Sequence, residues 1–237
     1  YTQQVKEFVR EKTFGDVLFV SADAAYRSMG NPDQWRLDRS LSGGGALVNM
    51  GVYAIQSTIY GTGENPISVA AQEFSTRPDY FKDTDETITA QLKFPSGAVG
   101  NITTSHNFNA NAMYVSGSSG WFRLQPANNY GPLSGETSRG DVLKFPHESQ
   151  QKLQMDDFAC HVLFGEPNKA PGEMGKRDMM IVEAIYQSIA NGGETIMLDF
   201  EPGYGFGGWK TIALLQNIGL ILSSNNSHYF YNVAIDS

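Results

Sequence analysis

Asn49 and Tyr53 stand four residues apart in the run Gly43-Gly44-Gly45-Ala46-Leu47-Val48-Asn49-Met50-Gly51-Val52-Tyr53. At about 100° per residue, a helix here puts Asn49, Tyr53, Gln56 and Tyr60 on one face. Leu47, Met50, Gly51, Ala54, Ile55 and Ile59 form the other, apolar face. The apolar side packs on a sheet, with Gly51 letting a neighbouring backbone come close, and the polar side faces either solvent or a cleft. A tyrosine on such a face is a candidate proton acceptor for a hydroxyl group, but an unperturbed phenol is only about 0.1% ionised at neutral pH. It becomes a useful base beside a cation, which favours the phenolate. The glycine triplet strips the lead-in to the helix of side chains, at about 0.5–1 kcal/mol each in chain entropy. A close backbone approach to a ligand or another domain, or an unusual turn, would offset that cost.

Trp35 and Arg36 form a second candidate group. A guanidinium fork beside an aromatic plate suits a carboxylate or sugar hydroxyls, and an exposed arginine next to a core tryptophan is the plainer alternative. Tyr130, in Asn128-Asn129-Tyr130-Gly131-Pro132, belongs to a long loop that can form the rim of a site. Other chemistries lack their residues. His106, His147, His161 and His228 have neither a partner four residues away nor a cysteine cluster, so no metal site is expected. No G-x-S-x-G hydrolase elbow occurs. Met174, Met179 and Met180 read as packing, and the single cysteine, Cys160, reads as a small buried group on a helix.

The elements that must position these residues follow from periodicity. A helix is expected near 5–12 and a strand over 16–24, then a polar loop to residue 42 and the helix carrying Asn49 and Tyr53. Strands follow at 67–76, 86–94, 98–105, 112–117 and 121–125. The clearest, Thr87-Ile88-Thr89-Ala90-Gln91-Leu92-Lys93-Phe94, alternates throughout, so one sheet face is covered and the other is not. Pro95-Ser96-Gly97 and Gly117-Ser118-Ser119-Gly120 are tight connections that make neighbouring strands antiparallel. A Gly/Asn/Ser/Pro-rich excursion over 126–141 precedes helices at 150–164 and 175–191. Strands grouped apart from helices predict an α+β fold: an open, predominantly antiparallel sheet with helices on one face. A strand is expected near 195–200 and an apolar helix over 209–222. The intervening Gly203-x-Gly205-x-x-Gly208 lacks the βαβ unit that a dinucleotide fingerprint needs.

With 237 residues, 41% of them hydrophobic, the chain can fill one substantial core, and its formal charge of −8 leaves no basic face for nucleic acid or an anionic membrane. No apolar run reaches the roughly 18 residues of a membrane helix.

The segment Trp35-Arg36 … Gly43-Gly44-Gly45-Ala46-Leu47 … Asn49-x-Gly51-x-Tyr53 resembles the signature of the C-terminal domain of the glucose–fructose oxidoreductase/inositol dehydrogenase (Gfo/Idh/MocA) family. Pro66-Ile67-Ser68-Val69, Asp85-Glu86-Thr87-Ile88-Thr89, Phe94-Pro95-Ser96-Gly97-Ala98, Val115-Ser116-Gly117-Ser118-Ser119-Gly120 and Pro171-Gly172-Glu173-Met174-Gly175 … Asp178 … Ala184-Ile185-Tyr186-Gln187-Ser188 follow in that family's order. The resemblance covers about residues 1–198 and leaves 199–237 as an atypical extension. It implies the substrate-binding and oligomerisation part of an NAD- or NADP-dependent oxidoreductase acting on a sugar or polyol. The cofactor would sit in a preceding Rossmann domain, so none is expected on this chain alone. The family's catalytic lysine lies in a Glu-Lys-Pro motif there; this chain's only Glu-Lys pair, Glu11-Lys12, is followed by Thr13. The chain is therefore expected to start just past that domain and to be a poor catalyst alone.

Carried over residue by residue, the resemblance makes Tyr53 and Asn49 the catalytic pair. Arg36 and Trp35 become substrate contacts, and Gly43, Gly44 and Gly45 approach the nicotinamide; Tyr130 joins the substrate contacts from its place in the long loop. Most members have histidine where Tyr53 stands, and the glucose–fructose branch is similar to this chain in having tyrosine. Asn49 replaces the usual aspartate, which removes a charge and a proton-holding group. That departure keeps a second reading open: a non-catalytic carbohydrate-binding or dimerisation module of the same fold. Homo-oligomerisation through the sheet face is expected in either reading.

Overall fold

In the computed structural model of the chain, which describes residues 1–200 except 29, 32, 146 and 147, the strands join into one open sheet of order β8-β7-β6-β5-β1-β4-β3-β2-β9. They are β1 (Val17–Ala25), β2 (Ser68–Phe74), β3 (Thr87–Lys93), β4 (Val99–Ser105), β5 (Ala110–Gly117), β6 (Gly120–Leu124), β7 (Gly135–Thr137), β8 (Val142–Leu143) and β9 (Ile196–Met197). All neighbours are antiparallel save one pair, β1 and β4, which run parallel. The α+β expectation of an open, mostly antiparallel sheet is met. The parallel pair escapes local reading because it joins strands whose connection crosses the sheet through a helix, not through a tight turn.

Alternation decides which side chains meet the helices. Ala22 and Ala24 of β1, Ile88, Ala90 and Leu92 of β3, and Ile102 of β4 are buried against α3 (Val52–Thr62) and α5 (Gly172–Ala190). Those helices contribute Ala54, Ile55 and Ile59, and Ile181, Val182 and Ile185. Each fully buried leucine or isoleucine contributes about 1.5–3 kcal/mol. Val20, Met113, Val115, Phe122 and Leu124 meet Val5 and Phe8 of α1 (Thr2–Arg10) in a second apolar cluster. On the opposite face Gln72, Gln91 and Asn101 are exposed.

Three expectations change. The polar loop before the Asn49 helix holds a 3-10 turn at Trp35–Leu37 and a short α2 (Arg39–Ser42), capped by Asp38 Oδ1 accepting from the Ser40 amide at 2.9 Å. The 126–141 excursion contains β7 and leads into β8, strands too short to show a period. The helix over 150–164 forms as α4 (Gln150–Phe164) but buries none of its residues, so Cys160 is half-buried rather than buried. Met155, Phe158 and Val162 share one face at i, i+3, i+7 spacing while Leu153, Leu163 and Phe164 stand off it, and all six are exposed. The segment over 203–208 and the expected helix over 209–222, with His147 and His228, lie outside the described residues. Among the described residues no helix is long and apolar enough to cross a membrane.

Candidate functional site

The segment 43–53 is built around a carboxylate that sequence reading passed over. Asp85, just before β3, is 1% exposed and accepts from the Gly45 amide and the Leu47 amide at 2.7 Å each, and from the Tyr186 hydroxyl of α5 at 2.6 Å. It thereby satisfies amides at the start of the helix that would otherwise be orphaned. Burial, the Asp85 charge and its hydrogen bond push the Tyr186 phenol far above its ordinary value, so it remains a donor.

This clamp also explains two of the three glycines. A Cβ on Gly45 would stand 2.1 Å from the Asp85 carbonyl oxygen, and one on Gly44 would stand 2.2 Å from the Tyr186 hydroxyl. Gly43, exposed, ends α2 in the left-handed region at φ 78° and has open space around it. Gly51, which the sequence reading matched to a neighbouring backbone, is closed in by side chains, Leu47 and Thr104.

Beyond the clamp the chain forms a π-helical turn, Leu47–Gly51, before α3 begins. Its i to i+5 bonding widens the turn, so the α-helical spacing used for the polar face does not hold across it. Asn49 consequently turns towards the end of β1 and β4. Its Nδ2 donates to the Tyr26 hydroxyl at 3.1 Å and lies 3.0 Å from His106 Nε2. His106 is 2% exposed, its ring lies 4.9 Å from that of Tyr26, and its Nδ1 has no hydrogen-bond partner among the described residues. Burial holds the imidazole below its ordinary pKa; Asp85 opposes this, and the charges of Arg36 and Arg77 add to it.

Tyr53 turns the other way. It lines a cavity of about 940 Å³ together with Met50, Gln56, Tyr60, Asn128 and Tyr130, and with residues of α1; Asn49 is not among the lining residues. Tyr53 is 44% exposed and Tyr130 72%. Partial burial raises the Tyr53 pKa, and the adjacent Tyr130 hydroxyl adds to the rise. The phenol is thus further from being a base than free tyrosine.

Trp35 is not in the core: it is 53% exposed, and the Arg36 guanidinium stacks on it at 4.4 Å from the ring centroid. The effect of Arg36 on His106 sets this pair on the Asn49 side. The structure therefore joins Tyr53 to Tyr130, and Asn49 to Tyr26 and His106 with Arg36 in electrostatic range. His106 could have been found from its isolation, a lone histidine at the end of an alternating strand, but the sequence reading weighed histidines only as metal ligands. Among the described residues no cluster of three His, Cys, Asp or Glu is placed to hold a metal ion.

The family model for the GFO/IDH/MocA C-terminal domain matches residues 2–123. Among curated proteins, a D-xylose 1-dehydrogenase [NADP(+)] of Haloarcula marismortui is 27% identical over 195 residues, covering 78% of this chain and 54% of its own length. A D-glucoside 3-dehydrogenase of Escherichia coli is 26% identical over 211 residues, 81% of this chain and 60% of its own. Among solved structures, an aldose-aldose oxidoreductase from Caulobacter crescentus, complexed with glycerol, superposes with a TM-score of 0.77 at 33% identity. That match covers 83% of this chain and 60% of the other. The chain thus spans 54% and 60% of the length of these two curated relatives.

Proposed function

Since this chain belongs to the Gfo/Idh/MocA family, matching its C-terminal domain, we propose that it forms the substrate-facing part of an NAD(P)-dependent oxidoreductase acting on a sugar or polyol, with an aldose as the favoured class. The observation that carries the reading is the wall beside Tyr53. Gln56, Tyr60, Asn128, Asn129 and Tyr130 offer uncharged donors, acceptors and aromatic faces; among the described residues the charged side chains of the lining are the carboxylates Glu7 and Glu148, and none is cationic. Hydroxyl-rich, uncharged ligands match such a wall.

The described residues do not by themselves fit a dinucleotide. At the glycine-lined start of the Asn49 segment the Gly45 and Leu47 amides are already taken by Asp85, so that helix start has no such donors free for a phosphate. In this reading another part of the protein holds the nicotinamide, as the family's architecture implies. Gly43 is the exposed member of the triplet that faces the ring, while Gly44 and Gly45 shape the turn. Asn49 and Arg36 on Trp35 stand outside the Tyr53 cavity and hydrogen-bond the part of the substrate that extends beyond it. The Tyr53 phenol donates a hydrogen bond at neutral pH and accepts a proton only when a cation outside the described residues stands beside it. The polar outer face with Gln72, Gln91 and Asn101 meets a second copy of the chain.

The test is the full-length protein with NAD⁺ or NADP⁺ and a panel of aldoses and polyols, following nicotinamide reduction. Turnover of at least one aldose is expected, with Tyr53→Phe lowering kcat about a hundredfold. Asn49, which cannot hold a proton, favours the second reading, a non-catalytic carbohydrate-binding or dimerisation module. Carbohydrate binding without turnover would decide for that module. Calorimetry on the chain alone is expected to show no nicotinamide binding; a micromolar affinity for NADP⁺ would overturn the division of labour.

A further inference from the structure

The environment of Asn49 carries an assignment that the proposed function does not need, although it rests on that reading for its consequence. An asparagine amide presents one acceptor and one two-proton donor, and which of them faces a ligand depends on what holds the other. Here the Nδ2 is engaged twice, by the Tyr26 hydroxyl at 3.1 Å and by His106 Nε2 at 3.0 Å. Two nitrogens at that separation need one proton between them, so with the amide donating, the ring nitrogen must be bare. The proton of the neutral ring then sits on Nδ1, which is buried and, among the described residues, without a partner, so that Asn49 is the one described side chain that hydrogen-bonds the ring. The amide oxygen takes part in neither bond.

We propose that His106 is a positioning residue: as a neutral imidazole with a bare Nε2 it fixes the amide of Asn49 so that Oδ1 is offered to the ligand as a hydrogen-bond acceptor for a hydroxyl group. The pair is chemically matched. A carboxylate in place of Asn49 would need a donor at Nε2, the opposite tautomer, and would draw a second proton onto the ring. The surroundings support the neutral ring. Arg36 from the 3-10 turn and Arg77 beyond β2 oppose a further positive charge, the Asp85 carboxylate favours it, and Tyr26 is a neutral neighbour. Arg77 also ties this corner down, donating from its guanidinium to the His106 and Ser28 carbonyl oxygens at 3.0 and 3.2 Å. A proton arriving at Nε2 would face the amide NH₂ and force it to turn over, exchanging an acceptor for a donor at the ligand. Selection for a hydroxyl's O–H would then be lost in acid.

Imidazole nitrogen NMR of the full-length protein tests the pair without reference to turnover. At neutral pH the His106 resonances should report a protonated Nδ1 and a bare Nε2. Asn49→Asp should invert that tautomer and move the ring's titration upward. A wild-type ring protonated at Nε2 would overturn the proposal. With D-xylose as the probe, His106→Gln, which keeps an acceptor near the Nε2 position, should leave KM within about threefold, whereas His106→Leu should raise KM about tenfold with a smaller change in kcat. Equal losses in both variants would also overturn it. The expected tautomer in a protein that neither binds nor oxidises any sugar or polyol would instead sink the functional reading and leave the His106–Asn49 pairing standing.

Discussion

The two ends of segment 43–53 are held in opposite ways. At its start, one buried carboxylate collects two backbone amides and a phenol, and Gly44 and Gly45 beside it leave no room for a single methyl group. At its end, Tyr53 is 44% exposed on an open cavity opposite a still more exposed Tyr130. The start is therefore fixed by contacts without slack, and the end is left wet and able to meet a ligand. Rigidity and availability sit within one short segment because the first aims the second.

That contrast is best broken at the start. Gly45→Ala drives a Cβ into the Asp85 backbone, which cannot rotate away as a side chain could, so a loss of about 3 kcal/mol or more is expected in denaturant unfolding. Asp85→Asn keeps the shape but sets an NH₂ group against the Leu47 amide, the single donor on Oδ2, while Oδ1 keeps Gly45 and Tyr186; about 2–3 kcal/mol should be lost.

The adjacent Glu86 sharpens the comparison through pH. Burial pushes its carboxyl up, but the Arg77 amide, the Ser75 hydroxyl and the Thr76 amide and hydroxyl outweigh this and hold it below its ordinary value. A depressed carboxylate contributes stability that is present above the ordinary carboxylate range and lost as pH falls through its folded value. His106 acts in the same direction in a higher window: its folded value lies below the unfolded one, so acid favours the unfolded chain as pH falls below the ordinary imidazole range. Acid titration of thermal stability should therefore show a loss that Glu86→Gln flattens on its lower limb. At the open end, Tyr53→Phe should change stability by less than about 0.5 kcal/mol while still lowering turnover. A stability loss there as large as at Asp85 would erase the distinction between the two ends.

Much of this architecture was legible in the chain itself. The alternation of β3, the hairpin residues around Ser96 and Ser119, and the apolar side of α3 each state their own burial, and the structure agrees with them. The polar face was only half legible. The residues were the right types, but a π-helical turn lies between Asn49 and Tyr53, and nothing in a residue pattern announces the wider turn that sends them to different neighbours. Helix α4 was found to the residue and its environment misjudged, because a helical pattern says where hydrogen bonds close and not whether anything covers the apolar side chains.

The sequence by itself determined the longer elements, the faces that β3 and α3 bury and the family, since these depend on interactions between residues a few places apart. Only the tertiary structure decided which groups meet at the site. Asp85 reaches Gly45 across 40 positions and His106 reaches Asn49 across 57. Contacts of that range are set by the register of β3 and β4 beneath the helix, a property of the assembled sheet that no local propensity encodes.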